Sequence, residues 1–376
     1  MTVSRPSPDV IVIGGGIHGA SAALHLAMAG RRVTVLEKDY CGRHASGVNA
    51  GGVRTLARHP AEVPLSLASM EMWYAMRDLV DDDCGFESHG QIQVAETEAD
   101  LEMLSGRVDA LRAGGHHHEE IVDRRELASL LPALSDRCVG AAVARRDGAA
   151  KPYRTVLAFQ RRAEALGVTF REGEAAARVS RSGNDWEVAT SRGERLTAPV
   201  VVNCAGAWAG EVARQLGDHA PVEVVAPMMM VTLPIPRVME PVVIGSSRPL
   251  SLKQLANGTV LIGGGQSGTP VPQENRTELD FGKLCRSSRT VSELFPILRG
   301  LTVVRAWAGL EARMPDGIPV IGAGGAAGVF HAFGFSAHGF QLGPIVGRIV
   351  ADLVARGATD MPVEPFRIDR FERPKT

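Results

Sequence analysis

The chain is poor in the features that mark metal clusters, nucleic-acid surfaces and membranes. Its five cysteines (Cys41, Cys84, Cys138, Cys204 and Cys285) are scattered, and no Cys-x-x-Cys pair occurs. That spacing argues against an iron–sulfur cluster or structural zinc, and no metal site is expected. Dispersed cysteines fit a reducing compartment. Net charge is almost absent, at −1. With no basic patch interleaved with aromatics, a nucleic-acid partner is not expected. No segment reaches the roughly eighteen consecutive apolar residues of a spanning helix. Residues Met1 to Pro8 lack the basic segment and apolar core of a secretory leader, so a cytoplasmic location is expected. Internal repeats and low-complexity tracts are also missing. The run His116-His117-His118 lacks a supporting ligand pattern and reads as a solvated loop.

What is present is an ordinary globular composition, 45% apolar and 22% charged, over 376 residues, enough for two domains. The most informative stretch lies near the start. Val10-Ile11-Val12-Ile13 is an apolar run, and Gly14, Gly16 and Gly19 follow as G-x-G-x-x-G before the alanine-rich stretch from Ala22. This reads as strand, tight turn and helix, with the turn backbone open to a pyrophosphate. A second apolar run ends in Glu37, twenty-three residues after Gly14, where a carboxylate can accept from ribose hydroxyls. The pattern predicts a dinucleotide site with a diphosphate on the helix N-terminus.

The expected fold is α/β (α+β overall). A discontinuous Rossmann-like dinucleotide-binding domain is assigned residues 1–84, 141–221 and 309–376. A second, mainly antiparallel β-sheet domain for substrate is assigned 85–140 and 222–308. Spacing predicts a helix over 61–80, a strand over 90–95 and a surface helix over 100–113. A helix Thr155–Leu166 and a strand near Val168–Phe170 follow. Residues 198–207 read as a buried strand ending in small residues. The last part predicts a strand Val329–Phe333 and a helix from about Gly339 to Arg356.

Five segments, Asp9–Lys38, Ser46–Arg54, Val200–Trp208, Trp307–Gly322 and Phe333–Gln341, together resemble one family. The most specific is Phe333-Gly334-Phe335-Ser336-Ala337-His338-Gly339-Phe340-Gln341, similar to a Gly-Phe-Ser-Gly-His-Gly-Phe pattern opening a carboxy-terminal helix. The family is that of FAD-dependent amine and amino-acid oxidoreductases, which includes D-amino acid, glycine and sarcosine oxidases. Within it, the chain most resembles β subunits of heteromeric sarcosine, opine and D-hydroxyproline dehydrogenases; cyanide-forming glycine dehydrogenases lie in the same group. The resemblance implies FAD contacts from Gly14, Gly16, Ile17, His18, Gly19, Glu37 and Lys38. It further implies Ser46, Ala50, Gly51 and Gly52 around the pyrophosphate and ribityl chain, and Ala176 by the adenine. Ala205 and Gly206 should pass close, Asp316 and Gly317 should form a ribityl-contacting turn, and His338, Gly339, Phe340 and Gln341 should meet the flavin. A positive helix end there would favour the negative charge of reduced flavin.

The chain also departs from that pattern. Trp307-Ala308-Gly309-Leu310-Glu311 has no cysteine, and Ala150-Lys151 is followed by Pro152 where sarcosine oxidase β subunits link FMN through histidine. Noncovalent FAD is therefore expected, and a noncovalent FMN shared with another subunit stays open. The usual carboxylate anchors are replaced by Glu311 and Gln341. Arg54 is then the first candidate to hold a substrate carboxylate, ahead of Arg58 and Arg313. Glu311 could hold a substrate ammonium or ring hydroxyl, or pair with Arg313 or Arg305 instead. His338 could orient substrate or simply fix its turn.

The expected chemistry is hydride transfer from the carbon beside an amine to FAD, giving an imine. A lysine that activates oxygen in monomeric sarcosine oxidase matches the region of Leu261-Ile262-Gly263, which has none. That favours electrons passing to a quinone or partner protein. The first substrate expectation is a D-amino or imino acid such as cis-4-hydroxy-D-proline, followed by opines, sarcosine and glycine. The rivals are a flavin-bearing assembly subunit, inactive alone, and a flavoprotein whose dinucleotide site takes NAD.

Overall fold

The computed structural model describes residues 7–371. A six-stranded sheet runs in the order Val320–Ala323, Val329–Phe333, Val200–Asn203, Val10–Ile13, Val33–Glu37, Thr169–Glu172. All neighbours are parallel except the first two. Its central strands Val10–Ile13, Val33–Glu37 and Val200–Asn203 are largely apolar on both faces because both faces are covered. Val10, Val12, Val33 and Val35 meet the helices Ile17–Met28 and Gly339–Arg356. Ile11, Ile13 and Leu36 point the other way, onto Trp186 and Val188 of a three-stranded sheet within 176–198. The two helices pack closely because glycines face the contact. A Cβ at Gly343 would stand 2.5 Å from Ile17 Cγ1, and one at Gly347 would overlap Ser21.

The second sheet has eight strands, in the order Val303–Ala308, Met228–Thr232, Val260–Gly263, Ser251–Gln254, Val242–Gly245, Gln91–Ala95, Gly140–Ala144, Glu120–Asp123. Its pairings are antiparallel apart from Val242–Gly245 with Gln91–Ala95. Alternation divides its faces. Ile92, Val94, Val243 and Leu252 pack with Leu284, Val291 and Leu294 of the helix Phe281–Leu294. Gln91, Val242, Ile244 and Ser251 face a cavity between the two sheets.

Several expectations need correction. Gly140–Ala144 does not start the returning dinucleotide segment, because it pairs on both edges within the eight-stranded sheet. The helix expected over 61–80 is two, Val63–Tyr74 and Met76–Val80, since Ala75 leaves the helical region. The helix Phe281–Leu294, capped by Asp280 accepting from the Lys283 N–H at 3.0 Å, was expected as sheet. His118 is not solvated: its side chain is 11% exposed, and neither ring nitrogen has a hydrogen-bond partner among the described residues.

Candidate active site

The strand Val10–Ile13 delivers the chain to Gly14, whose φ of +109° favours glycine and where a Cβ would overlap the Cys204 carbonyl. A Cβ at Gly16 would stand 2.8 Å from Ser46 Oγ. Ser46 Oγ in turn accepts from the Ile17 N–H at 3.0 Å, at the start of the helix Ile17–Met28. Gly19 sits against the Gly14 carbonyl, so it serves strand–helix packing and does not line the cavity. Glu37 ends the next strand. Its carboxylate accepts from the Gly15 N–H at 2.7 Å and the Asp39 N–H at 2.8 Å. A carboxylate has about four acceptor positions, so each oxygen keeps one for a ribose hydroxyl. Burial raises its pKa against the pull of those two bonds. Lys38 stands 3.5 Å over the Trp208 ring and donates to Asn275 at 2.6 Å.

From this end a cavity of about 800 Å³ runs between the sheets. Ala176, Ala205 and Gly206 line it with Gly14, Gly16, Ile17, His18, Glu37 and Lys38, and Ser46, Ala50, Gly51 and Gly52 also contribute. Gly51 has φ +71° and packs against the Ala150 carbonyl, leaving no room for a side chain. Arg54, Glu311, His338, Gly339 and Phe340 line the cavity as well. The helix Gly339–Arg356 begins there with no side-chain cap and no acid in its first turn. Its first N–H groups and dipole suit an anion. The narrow glycine turns, the uncapped helix and the acidic end of the second strand fit FAD.

Besides Gly19, three expected contacts lie elsewhere. Asp316 pairs with Arg370 at 2.8 Å, and neither it nor Gly317 lines the cavity. Gln341 is wholly buried beneath the helix start. It accepts from Arg58 at 2.9 Å and donates to the Ser66 carbonyl at 2.8 Å, because its place in the first turn faces the helix Val63–Tyr74. His18 does line the cavity, stacked on Phe335 with centroids 3.6 Å apart and bonded to the Gly339 carbonyl oxygen at 3.0 Å.

At His338, Nδ1 lies 3.1 Å from Glu62, which is fully buried. Burial lowers the imidazole to about 4 against the pull of Glu62. Burial pushes Glu62 upward, but the His338 bond and the Arg58 and Arg54 charges outweigh it and hold the acid below its usual range. Together they describe a neutral imidazole that donates from Nδ1 to a carboxylate, leaving a lone pair on Nε2. Arg54 donates to the Leu56 carbonyl at 2.6 Å, and Arg58 to the His338 carbonyl at 2.8 Å. Neither guanidinium has a carboxylate within 4 Å among the described residues, and burial lowers both pKa values, Arg58 to about 9. Arg313 drops out as an anchor, because it pairs with Glu223 at 2.7 Å on the exposed side.

Glu311 lies on the short strand Glu311–Arg313, held by pairing with Glu223–Val225. One oxygen accepts from the Ala337 N–H. It pairs with neither Arg313 nor Arg305, the latter lying over Trp307. Burial raises it to about 7, against the Ala337 bond.

Two residues escaped the sequence reading. Glu62 sits in His59-Pro60-Ala61-Glu62, which looks like surface. Lys253 is directly opposite Leu261 on the adjoining strand, so a lysine does stand beside Leu261-Ile262-Gly263. It is buried, it forms no ion pair among the described residues, and burial lowers it to about 8.

The comparisons with known proteins agree with this geometry. The sarcosine oxidase subunit beta of Rhizobium meliloti (strain 1021) is 26% identical, over 98% of this chain and 89% of its own. The glycine oxidase of Geobacillus kaustophilus (strain HTA426) is 26% identical, over 96% of this chain and 97% of its own. The crystal structure of L-proline dehydrogenase from P. horikoshii superposes with a TM-score of 0.91 at 27% identity, covering 98% and 99% of the two chains. The family model for DAO, described as FAD dependent oxidoreductase, matches residues 9–353. FAD-dependent oxidation of amino acids and amines is typical of that family. The chain belongs to the DAO family and is an FAD-dependent oxidoreductase.

Proposed function

We propose that this protein oxidises the C–N bond of an amino acid or secondary amine to an imine. The observation that carries the reading is one cavity lined at once by the dinucleotide turn, an uncapped helix start, two arginines without acid partners and the carboxylate of Glu311. FAD, when bound, supplies the two-electron acceptor. The chain's part is to bind, orient and exclude water. Arg54 holds the substrate carboxylate, with Arg58 behind it, and Glu311 faces the amine. The neutral His338, fixed by Glu62, orients the reacting carbon. Gly14, Gly16, Ile17, His18, Glu37, Lys38, Ser46, Ala50, Gly51, Gly52, Ala176, Ala205, Gly206, Gly339 and Phe340 hold the cofactor noncovalently. FMN gains no support, since Pro152 opens a helix where the linking histidine would stand.

The proposed substrate class is a D-configured amino or imino acid, first cis-4-hydroxy-D-proline. The similarity to a protein named for L-proline supports a cyclic secondary amine, though of the other hand. With Lys253 beside Leu261, the missing lysine no longer argues for a quinone or partner protein as acceptor, so oxygen and dyes both enter the assay. A second reading, an assembly subunit inactive alone, is favoured by relatives named as subunits of sarcosine oxidase and hydrogen cyanide synthase. Five free cysteines, four of them buried, support a cytoplasmic location. No helix among the described residues is long and apolar enough to cross a membrane.

The test is anaerobic mixing of the FAD-loaded chain with D- and L-prolines, hydroxyprolines, sarcosine, glycine and opines. Bleaching led by the D-imino acids is expected. Bleaching by none of them, with the chain alone or with a partner subunit added, removes the reading. Bleaching that occurs only when a partner subunit is added selects the assembly-subunit form.

A further inference from the structure

We propose that Glu311 takes the proton from the substrate's ammonium before the carbon–nitrogen bond is oxidised. The inference deepens the proposed function and rests on it. Glu311 lines the same cavity as Arg54, Arg58 and His338, on a strand pinned by its pairing with Glu223–Val225. Only Oε1 is engaged, by the Ala337 N–H, while Oε2 accepts no hydrogen bond among the described residues. No lysine, arginine or histidine nitrogen lies within 4 Å of the carboxylate among those residues, and Arg313 on its own strand is held by Glu223. A half-buried carboxylate with one free oxygen and no cation is unsatisfied until a cation enters.

The other candidate is His338, whose Nδ1 is committed to Glu62 and whose Nε2 carries a lone pair. Proton transfer to imidazole would leave a positive charge beside Arg54 and Arg58. Transfer to Glu311 instead turns an ammonium and a carboxylate into two neutral groups, which suits a poorly solvated cavity. Burial supports the same choice, raising Glu311 to about 7 while holding His338 near 4, so the carboxylate is the better matched acceptor. The remaining titratable groups along the cavity are His18, lowered to about 3, with Cys204, Glu211, Glu37, Lys38, Arg43 and His44 toward the dinucleotide turn.

The step balances as follows. The N–H bond of the ammonium breaks, its proton joins Glu311 Oε2, and the electron pair stays on nitrogen. The adjacent C–H then breaks, and hydrogen leaves with its electron pair to FAD. The nitrogen pair closes the C=N bond. The substrate is oxidised by two electrons, FAD is reduced by two, and the proton later returns from Glu311 to solvent.

The test compares wild type with Glu311→Gln, which keeps the shape and cannot take a proton. Both are first assayed for FAD content. In wild type, kcat/KM for a secondary amino acid should rise through about pH 7 and gain less than about 1.5-fold above roughly pH 7.5. In Glu311→Gln only already neutral amine reacts, so kcat/KM should keep climbing, about tenfold between roughly pH 7.5 and 8.5. This window lies below the Arg58 pKa of about 9, and Lys253, at about 8, titrates inside it in both proteins alike. An N-aryl amino acid, whose nitrogen carries no extra proton in that range, should show no tenfold climb in the variant. A readout without turnover is titration calorimetry of N,N,N-trimethylglycine, a zwitterion whose nitrogen keeps its positive charge at every pH. Its affinity should rise several-fold from about pH 6 to 8 in wild type and stay level in the variant.

Parallel pH profiles in the two proteins, with equal trimethylglycine binding, overturn the proposal and leave amine oxidation standing. Failure of every amine to bleach FAD overturns the functional reading instead, and the trimethylglycine titration still reports on Glu311. If Glu311→Gln loads FAD poorly, Glu311→Asp keeps the carboxylate and should restore the level wild-type profile; a climbing profile there counts against the role.

Discussion

Replacing Glu37 separates its two roles, because its contacts are of two kinds. In the folded chain its carboxylate accepts from the Gly15 and Asp39 N–H groups at 2.7 and 2.8 Å. Its remaining lone pairs are free for ribose hydroxyls. Glu37→Ala removes both. Two charge-assisted bonds to ribose amount to about 2–3 kcal/mol, or roughly thirty- to two-hundred-fold in FAD affinity. The two backbone donors also lose a buried partner, at about 1–3 kcal/mol each where water cannot replace it. The cofactor-free protein should therefore lose stability too. The assay is a pair: FAD dissociation constants from flavin fluorescence, and urea unfolding of the cofactor-free protein. Glu37→Gln should fall between, since one end of the amide still accepts while the other presents a donor to a donor. An unchanged FAD constant beside lowered stability would show that Glu37 only shapes the Gly14–Gly16 turn, and would refute the ribose assignment.

Acid precipitation should release yellow flavin to the supernatant, with no added flavin mass on the unfolded chain; flavin in the pellet contradicts noncovalent binding. Arg54→Ala should raise KM for amino-acid substrates by about 1.5–3 kcal/mol with FAD content intact, because a charge-paired contact is lost. Unchanged kinetics there, with binding abolished in Arg58→Ala, would move the anchor four residues along the loop. His18 stays neutral in the folded chain down to about 3, whereas an unfolded histidine takes its proton near 6.5. The folded pKa is depressed, so stability falls as pH drops below about 6.5. His18→Phe keeps the stack on Phe335 and should reduce that slope by up to one proton in pH-dependent unfolding.

The dinucleotide half was readable because its signals are local. Val10–Ile13 is apolar throughout, the glycines follow at once, and Glu37 closes the next strand. The strand Val329–Phe333 and the helix Gly339–Arg356 stand at their expected residues. Gly140–Ala144 was misplaced because a run of small apolar residues carries no facing pattern, and its pairing partners are distant in sequence. The helix Phe281–Leu294 was hidden because Ser287 and Thr290 share its buried face with Leu284, Val291 and Leu294. In the site, spacing located the residues that line the cavity near its turns. It misjudged Gln341, whose direction depends on the helix Val63–Tyr74, and Asp316, which a carboxy-terminal arginine claims. Glu62 and Lys253 acquire meaning only from what surrounds them. Neither burial nor the absence of a partner is written in a single position.

The central claim is that this cavity lets FAD oxidise a C–N bond, and anaerobic flavin reduction tests it most directly. The FAD-loaded protein is mixed without oxygen with cis-4-hydroxy-D-proline and the wider amine panel, and visible flavin absorbance is followed while imine is trapped. The account predicts loss of the oxidised-flavin band in step with imine, one per FAD. Full retention of that band with every amine, while dithionite bleaches the same sample, would contradict it.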